Sequence, residues 1–114
     1  MVDERPVIGL RERRLGGITL VEIAGELDIL AAEQVRYRLD AVARAGRPDV
    51  VLDLRRVTFV DCAGLSVLCR LRNRVLARDG RLRLVIDDPR LHRLLRLARL
   101  ADAFEVLDDL ASAA

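Results

Sequence analysis

Two short segments gather the residues capable of chemistry. Gly25-Glu26-Leu27-Asp28 ends a β-rich run, and Asp61-Cys62-Ala63-Gly64-Leu65 follows directly on Val57-Thr58-Phe59-Val60. Each places an aspartate where a strand gives way to a helix. A carboxylate there accepts hydrogen bonds from the first free backbone N–H groups and sits at the positive end of the helix dipole. Read in isolation, Asp28 and Asp61 need be no more than two N-caps. In open α/β sheets, however, such junctions collect along one edge, where binding sites form. Cys62 follows Asp61 at the helix start. A thiol in that place is commonly reactive, while the neighbouring carboxylate opposes its ionisation. Redox sensing and a small inert side chain both remain open for Cys62. Cys69 is the other cysteine. Seven helical residues separate the two sulfurs' backbones by about 10 Å, too far for a disulfide.

Other chemistry is missing. His92 is the sole histidine, so no cluster has the spacing of metal ligands. It stands among outward-facing arginines, which predicts a surface role. A dyad of Cys62 with His92 would lack the third group that orients the base. Phosphate-cradling glycine loops and the G-x-S-x-G nucleophile turn are also absent. These gaps argue against an enzyme and predict no catalytic residue, metal or cofactor.

The elements that must position the two aspartates follow from the hydrophobic period. Ile18–Ala24 is a strand, and Gly16-Gly17 turns into it from an earlier strand near Val7–Arg11. From Leu30 to Ala45 the period becomes helical, with Ala31, Val35, Leu39 and Val42 in register. Gly46 is placed as the glycine that ends the helix, with Pro48 beyond. Val50–Leu54 is a buried strand, and Arg55–Val60 connects it to a helix over Ala63–Arg78 that Asp79-Gly80 closes. Leu82–Ile86 is the next buried strand. Asp88-Pro89 starts a third helix, with Leu91, Leu94, Leu95 and Ala98 inward and Arg90, Arg93, Arg96 and Arg99 outward. Ala103–Leu107 is a short edge strand and Asp109–Ala113 a final turn. This order predicts an α/β fold with a mixed, mostly parallel sheet of four or five strands and three or four helices.

At 114 residues and 52% hydrophobic, the chain suits one domain, 1–114, with its own core. Phe59, Phe104 and Tyr37 are the only aromatics. That leaves an aliphatic core and no platform for stacking bases. No run of about 18 apolar residues spans a membrane, and the N-terminus is not a signal peptide, which predicts a cytoplasmic protein. The net charge of +2 is uneven. Residues 62–99 hold ten Arg against three Asp, whereas residues 100–114 hold four acids and no base. The basic stretch is either a solvated helix exterior or a surface that docks an acidic protein or a phosphate.

The G-E-L-D segment, the V-V-L-D-L strand, the T-F-V-D-x-x-G-L junction, the Asp88-Pro89-Arg90-Leu91 helix start and the Phe104-Glu105-Val106-Leu107 ending come in one order over about residues 7–110. This pattern resembles the STAS domain of anti-sigma-factor antagonists. The resemblance implies the STAS fold, with helices largely on one side of the sheet. It also implies a protein-binding regulator whose partner is an anti-sigma factor of the serine-kinase type, with no direct contact to nucleic acid or membrane and no bar to a homodimer. The contact it implies is Asp28, Asp61, Cys62, Ala63, Gly64 and Ser66. In the family a serine directly after the motif aspartate is phosphorylated, which breaks the complex. Here that position is Cys62, followed by Ala63, and a thiol is no substrate for a serine kinase. Thr58 and Ser66 are nearby hydroxyls. The loss of the acceptor also suits a STAS subunit of a larger assembly, such as a lipid-transport ATPase complex or a stress-signalling assembly. The family often has glycine where Arg99 stands, ending the third helix in the left-handed conformation; with arginine there the chain either keeps that ending at a cost of about 1 kcal/mol or the helix runs on.

Overall fold

The computed structural model describes residues 8–113. It begins with a hairpin of β1 (Ile8–Leu15) and β2 (Ile18–Leu27). Leu15 pairs with Ile18, so Gly16-Gly17 is the whole turn. Gly16 has φ 64°, as the first position of a tight hairpin turn requires. This tight turn is why β1 runs past the predicted end at Arg11. The predicted first residue, Val7, and the N-terminal segment read as no signal peptide lie outside the described residues.

Gly25 does not end β2. It takes φ 113°, which glycine adopts without strain, where the register shifts: Gly25 pairs with Val57 but Glu26 with Phe59, so Thr58 of β3 is the extra, bulged residue. The strand therefore continues through Glu26 and Leu27. Its partner β3 (Asp49–Val60) is extended to match. The predicted connection over 55–60 is strand, with Gly25 opposite Val57, Glu26 opposite Phe59 and Leu27 opposite Val60.

Helix α1 (Ile29–Val42) buries the predicted stripe, Ala31, Val35, Leu39 and Val42. It stops three residues short of Ala45. Residues 44–47 are all exposed, so no packing holds another turn in place. The left-handed residue in this loop is Arg47, φ 51°, and not Gly46. Helix α2 (Cys62–Ala77) starts one residue earlier than predicted, because Asp61 is the N-cap. It closes through Asp79 in the left-handed conformation, with Gly80 N–H donating to Val75 O at 2.9 Å. Then come β4 (Arg81–Val85), α3 (Pro89–Leu97) and β5 (Glu105–Leu107), followed by a 3-10 turn over Ala111–Ala113. Asp88 caps α3 with Pro89 at its first turn, as predicted. Arg99 does take the left-handed conformation, φ 59°. Its N–H donates to Arg96 O and that of Leu100 to Leu95 O, a Schellman closure normally built on glycine. Ala98, predicted inward, is exposed because the helix has already ended.

The sheet order is β1-β2-β3-β4-β5, antiparallel only between β1 and β2. One aliphatic cluster joins a sheet face to α1, α2 and α3. A smaller one, Leu20, Val51, Val85 and Ala113, lies on the opposite face beneath the C-terminal turn. There the buried Arg83 donates to Ala113 O at 2.8 Å and to Asp49 at 2.9 Å. Each of the three α-helices thus covers the same face, and each begins at the same sheet edge. Among the described residues, no helix is long and apolar enough to cross a membrane.

Candidate functional site: the corner where β2 and β3 lead into α1 and α2

The parallel pairing of β2 with β3 brings Leu27 beside Val60, so the two helices start next to one another. Asp28 caps α1, its Oδ1 accepting from Leu30 N–H and Ala31 N–H at 3.0 Å each. Among the described residues its Oδ2 accepts no hydrogen bond and, half-buried, stays open to an outside donor. Asp61 makes a double cap. Its Oδ1 accepts from Gly64 N–H of its own helix at 3.0 Å. Its Oδ2 accepts from Ile29 N–H, the first residue of α1, also at 3.0 Å. One carboxylate therefore fixes the starts of both helices against each other. The Asp61 N–H in turn donates to Leu27 O at 3.4 Å, closing the junction on the β2 side.

Gly64 is buried at the tightest point of this junction. A Cβ there would be driven into the carbonyl oxygen of Leu27 and lie 3.0 Å from Leu27 Cγ and Val60 Cγ1. The glycine of D-x-x-G is thus demanded by close approach of the helix to the end of β2, since its φ is not in the left-handed region. Leu27 beneath it is fully buried. Burying a side chain of this size contributes about 2 kcal/mol, and that anchors the floor of the corner.

Cys62 occupies the first position of α2 and is exposed. Ala63 beside it is half-buried, and Ser66, one turn on, is exposed. Ser66 Oγ donates to Cys62 O at 2.9 Å, back-bonding to its own helix. Thr58 is exposed on the extended end of β3. Cys69 is half-buried and packs against the main cluster. All six residues singled out in the sequence, Asp28, Asp61, Cys62, Ala63, Gly64 and Ser66, come together at one corner. Their roles differ. Asp61 and Gly64 build it, while Cys62, Ser66 and the free oxygen of Asp28 face outward. His92 is not a free surface group. It is half-buried, and its Nε2 lies 3.2 Å from Ile86 O, so it donates there when that nitrogen carries the proton.

Three further side chains belong to this corner and were not among the expected contact residues. Ile29 and Leu30 are 73% and 75% exposed, and Phe59 is 51% exposed. The signal was present in the sequence: Ile29 and Leu30 fall out of phase with the Ala31-Val35-Leu39-Val42 stripe. On the α3 side, Phe59 borders an open groove of about 240 Å³ lined also by Val57, Leu91 and Leu94 and flanked by Asp88 and Arg90. Arg90 makes two-point contact with Asp88, Nη2 to Oδ2 at 3.0 Å. Those hydrogen bonds hold the Asp88 carboxyl below its ordinary range.

Similar proteins share both the sequence and the architecture. The chain is 29% identical over 94 residues to the anti-sigma F factor antagonist of Paenibacillus polymyxa, covering 82% of this chain and 80% of that one. It is 33% identical over 86 residues to the anti-sigma-B factor antagonist of Bacillus subtilis strain 168, covering 75% and 78%. The crystal structure of an anti-sigma factor antagonist from Mycobacterium paratuberculosis superposes with a TM-score of 0.84 at 25% identity, covering 93% of this chain and 90% of that one. These relatives are named as anti-sigma factor antagonists, which are regulators. Residues 11–113 match the STAS domain family, and the chain belongs to it.

Proposed function

We propose that this protein is an anti-sigma-factor antagonist that binds a kinase-type anti-sigma factor at the Asp28–Asp61 corner and so frees a sigma factor. In this reading the corner is not switched by serine phosphorylation at position 62. The observation that carries it is the exposed thiol of Cys62 at the first position of α2, set where the family resemblance puts the phosphoacceptor hydroxyl. Asp61, directly before it, is committed to Gly64 N–H and Ile29 N–H. A phosphate at position 62 would bring about 1.5 to 2 negative charges next to that carboxylate, on a surface rigid enough to be unable to move away. With sulfur in that seat, the repulsive state is not reached by this route, and the contact surface stays competent.

Calorimetry tests the reading with the purified chain and each kinase-type anti-sigma factor encoded in the same genome, alone and loaded with its sigma factor. Binding that displaces the sigma factor supports it. Cys62→Glu, which places a permanent charge beside Asp61, should abolish that binding without lowering the melting temperature. Failure of the wild-type chain to bind any of these proteins contradicts the proposal.

A further inference from the structure

Ile29 and Leu30 break the local rules of the element they begin. The first turn of a helix favours acidic side chains because of the dipole, yet the first turn of α1 holds none. Isoleucine there is also a mediocre helix former. Neither residue belongs to the core: the face of α1 that packs on the sheet is Ala31, Val35, Leu39 and Val42. Two large aliphatic side chains, each about three-quarters exposed, therefore serve neither the helix nor the packing. Residues that break a local rule without a compensating gain in the fold are where function is expected.

Their position gives that function content. Ile29 N–H is held by the Asp61 carboxylate at 3.0 Å, so its backbone is tied to the start of α2. In the sheet β3 lies between β2 and β4. Cys62 therefore stands between the Ile29-Leu30 pair on the α1 side and Phe59 with its apolar groove on the α3 side. Of the seven large apolar side chains exposed among the described residues, three are at this one corner. The charged groups interspersed with the pair are acidic: Glu26 opposite Phe59 in the ladder, the open oxygen of Asp28, and Glu33 one turn along α1. Among the described residues only Glu33 of these has a counter-ion, Arg36 at 3.4 Å.

We propose that Ile29 and Leu30 are the anchor residues that set affinity and partner choice at this corner, and that the partner meets them with an apolar recess rimmed by lysine or arginine side chains. The inference rests on the reading that this corner is the anti-sigma-factor contact, and adds to it the residues that discriminate among such partners. Rigid apolar anchors at the centre of a contact carry a large share of its binding energy, and the charged rim steers association.

The test compares the binding of the purified kinase-type anti-sigma factors to the wild-type chain, to Ile29→Ser/Leu30→Ser, to Ile29→Glu/Leu30→Glu, and to Leu97→Ser. Leu97 is equally exposed, at 73%, on α3 away from the corner. The serine pair should bind about 10- to 100-fold more weakly, and Leu97→Ser as the wild type does. The glutamate pair separates function from folding. It supplies the acidic first turn that α1 lacks, so its melting temperature should hold or rise while binding still falls, because a carboxylate buried in an apolar recess is penalised. Raising the salt concentration should slow association of the wild-type chain. If the wild type binds and the serine pair binds equally well, the anchor proposal is overturned and the corner reading survives. If the wild type binds none of these proteins, both fall.

Discussion

Two aspartates tie the same pair of helices together, and they do so with different chemistry. Asp61 joins the starts of α1 and α2 through backbone N–H groups. Asp40, near the other end of α1, joins the same helices through side chains. It accepts from Arg70 at 3.0 and 3.1 Å, with Arg74 at 3.4 Å and Arg36 at 3.9 Å. The hydrogen bonds of Arg70, reinforced by the charges of the other arginines, hold the Asp40 carboxyl below its ordinary value. Backbone donors cannot rotate away, so the Asp61 link fixes geometry. The arginines are long and 38–47% exposed, so the Asp40 link is a rivet that salt and side-chain freedom weaken. The first kind of tie serves a surface that must present fixed groups. The second serves only cohesion.

Perturbations graded by size should keep the two ties apart. The largest effect is expected from Gly64→Ala, which forces a methyl into the Leu27 carbonyl. Thermal melting should show a loss of about 3 kcal/mol or more, together with loss of partner binding. Asp61→Ala removes two hydrogen bonds and should cost about 2 kcal/mol. Its amide exchange should quicken at both Ile29 and Gly64, and unchanged exchange at Ile29 would break the double-cap account. Asp40→Asn should destabilise less and leave partner affinity untouched. Because the folded carboxyl lies below its ordinary value of 3.8, its contribution is present in full above that value and is lost as the pH falls beneath it. The gap in melting temperature between wild type and Asp40→Asn should accordingly close below that pH, and narrow in high salt at neutral pH. A gap that persists in acid would assign the effect to packing. The smallest effect, and of opposite sign, belongs to Arg99→Gly. It relieves a left-handed arginine and should stabilise by about 1 kcal/mol with no change in binding.

Much of this was legible in the chain. The α1 stripe and the Asp88-Pro89 start follow from local rules, because each depends on residues within a turn of one another, whereas the left-handed ending at Arg99 was signalled only by the family's glycine at that position. The motif aspartates and Gly64 announced a corner. What local rules could not reveal was long-range. The extension of β3 over 55–60 pairs with β2 running on through Gly25 to Leu27 beside it, and neither strand's own residues specify that pairing. The second bond of Asp61 reaches 32 residues back to Ile29, beyond any motif. Gly46 looked like the end of α1, but the helix ends where burial ends, at Ala43. Exposure of Ile29 and Leu30 followed from phase alone, yet apolar residues at a helix start read most simply as core until the sheet face is known.

The central claim is that a fixed contact corner has lost its hydroxyl and with it the phosphate switch. Intact-mass measurement after incubation with the cognate kinase and ATP, run beside binding for the wild type and Cys62→Ser, tests it directly. The wild-type chain should gain no phosphate and stay bound, whereas Cys62→Ser should gain one and dissociate. A phosphate on the wild-type chain accompanied by release of the partner would contradict the account.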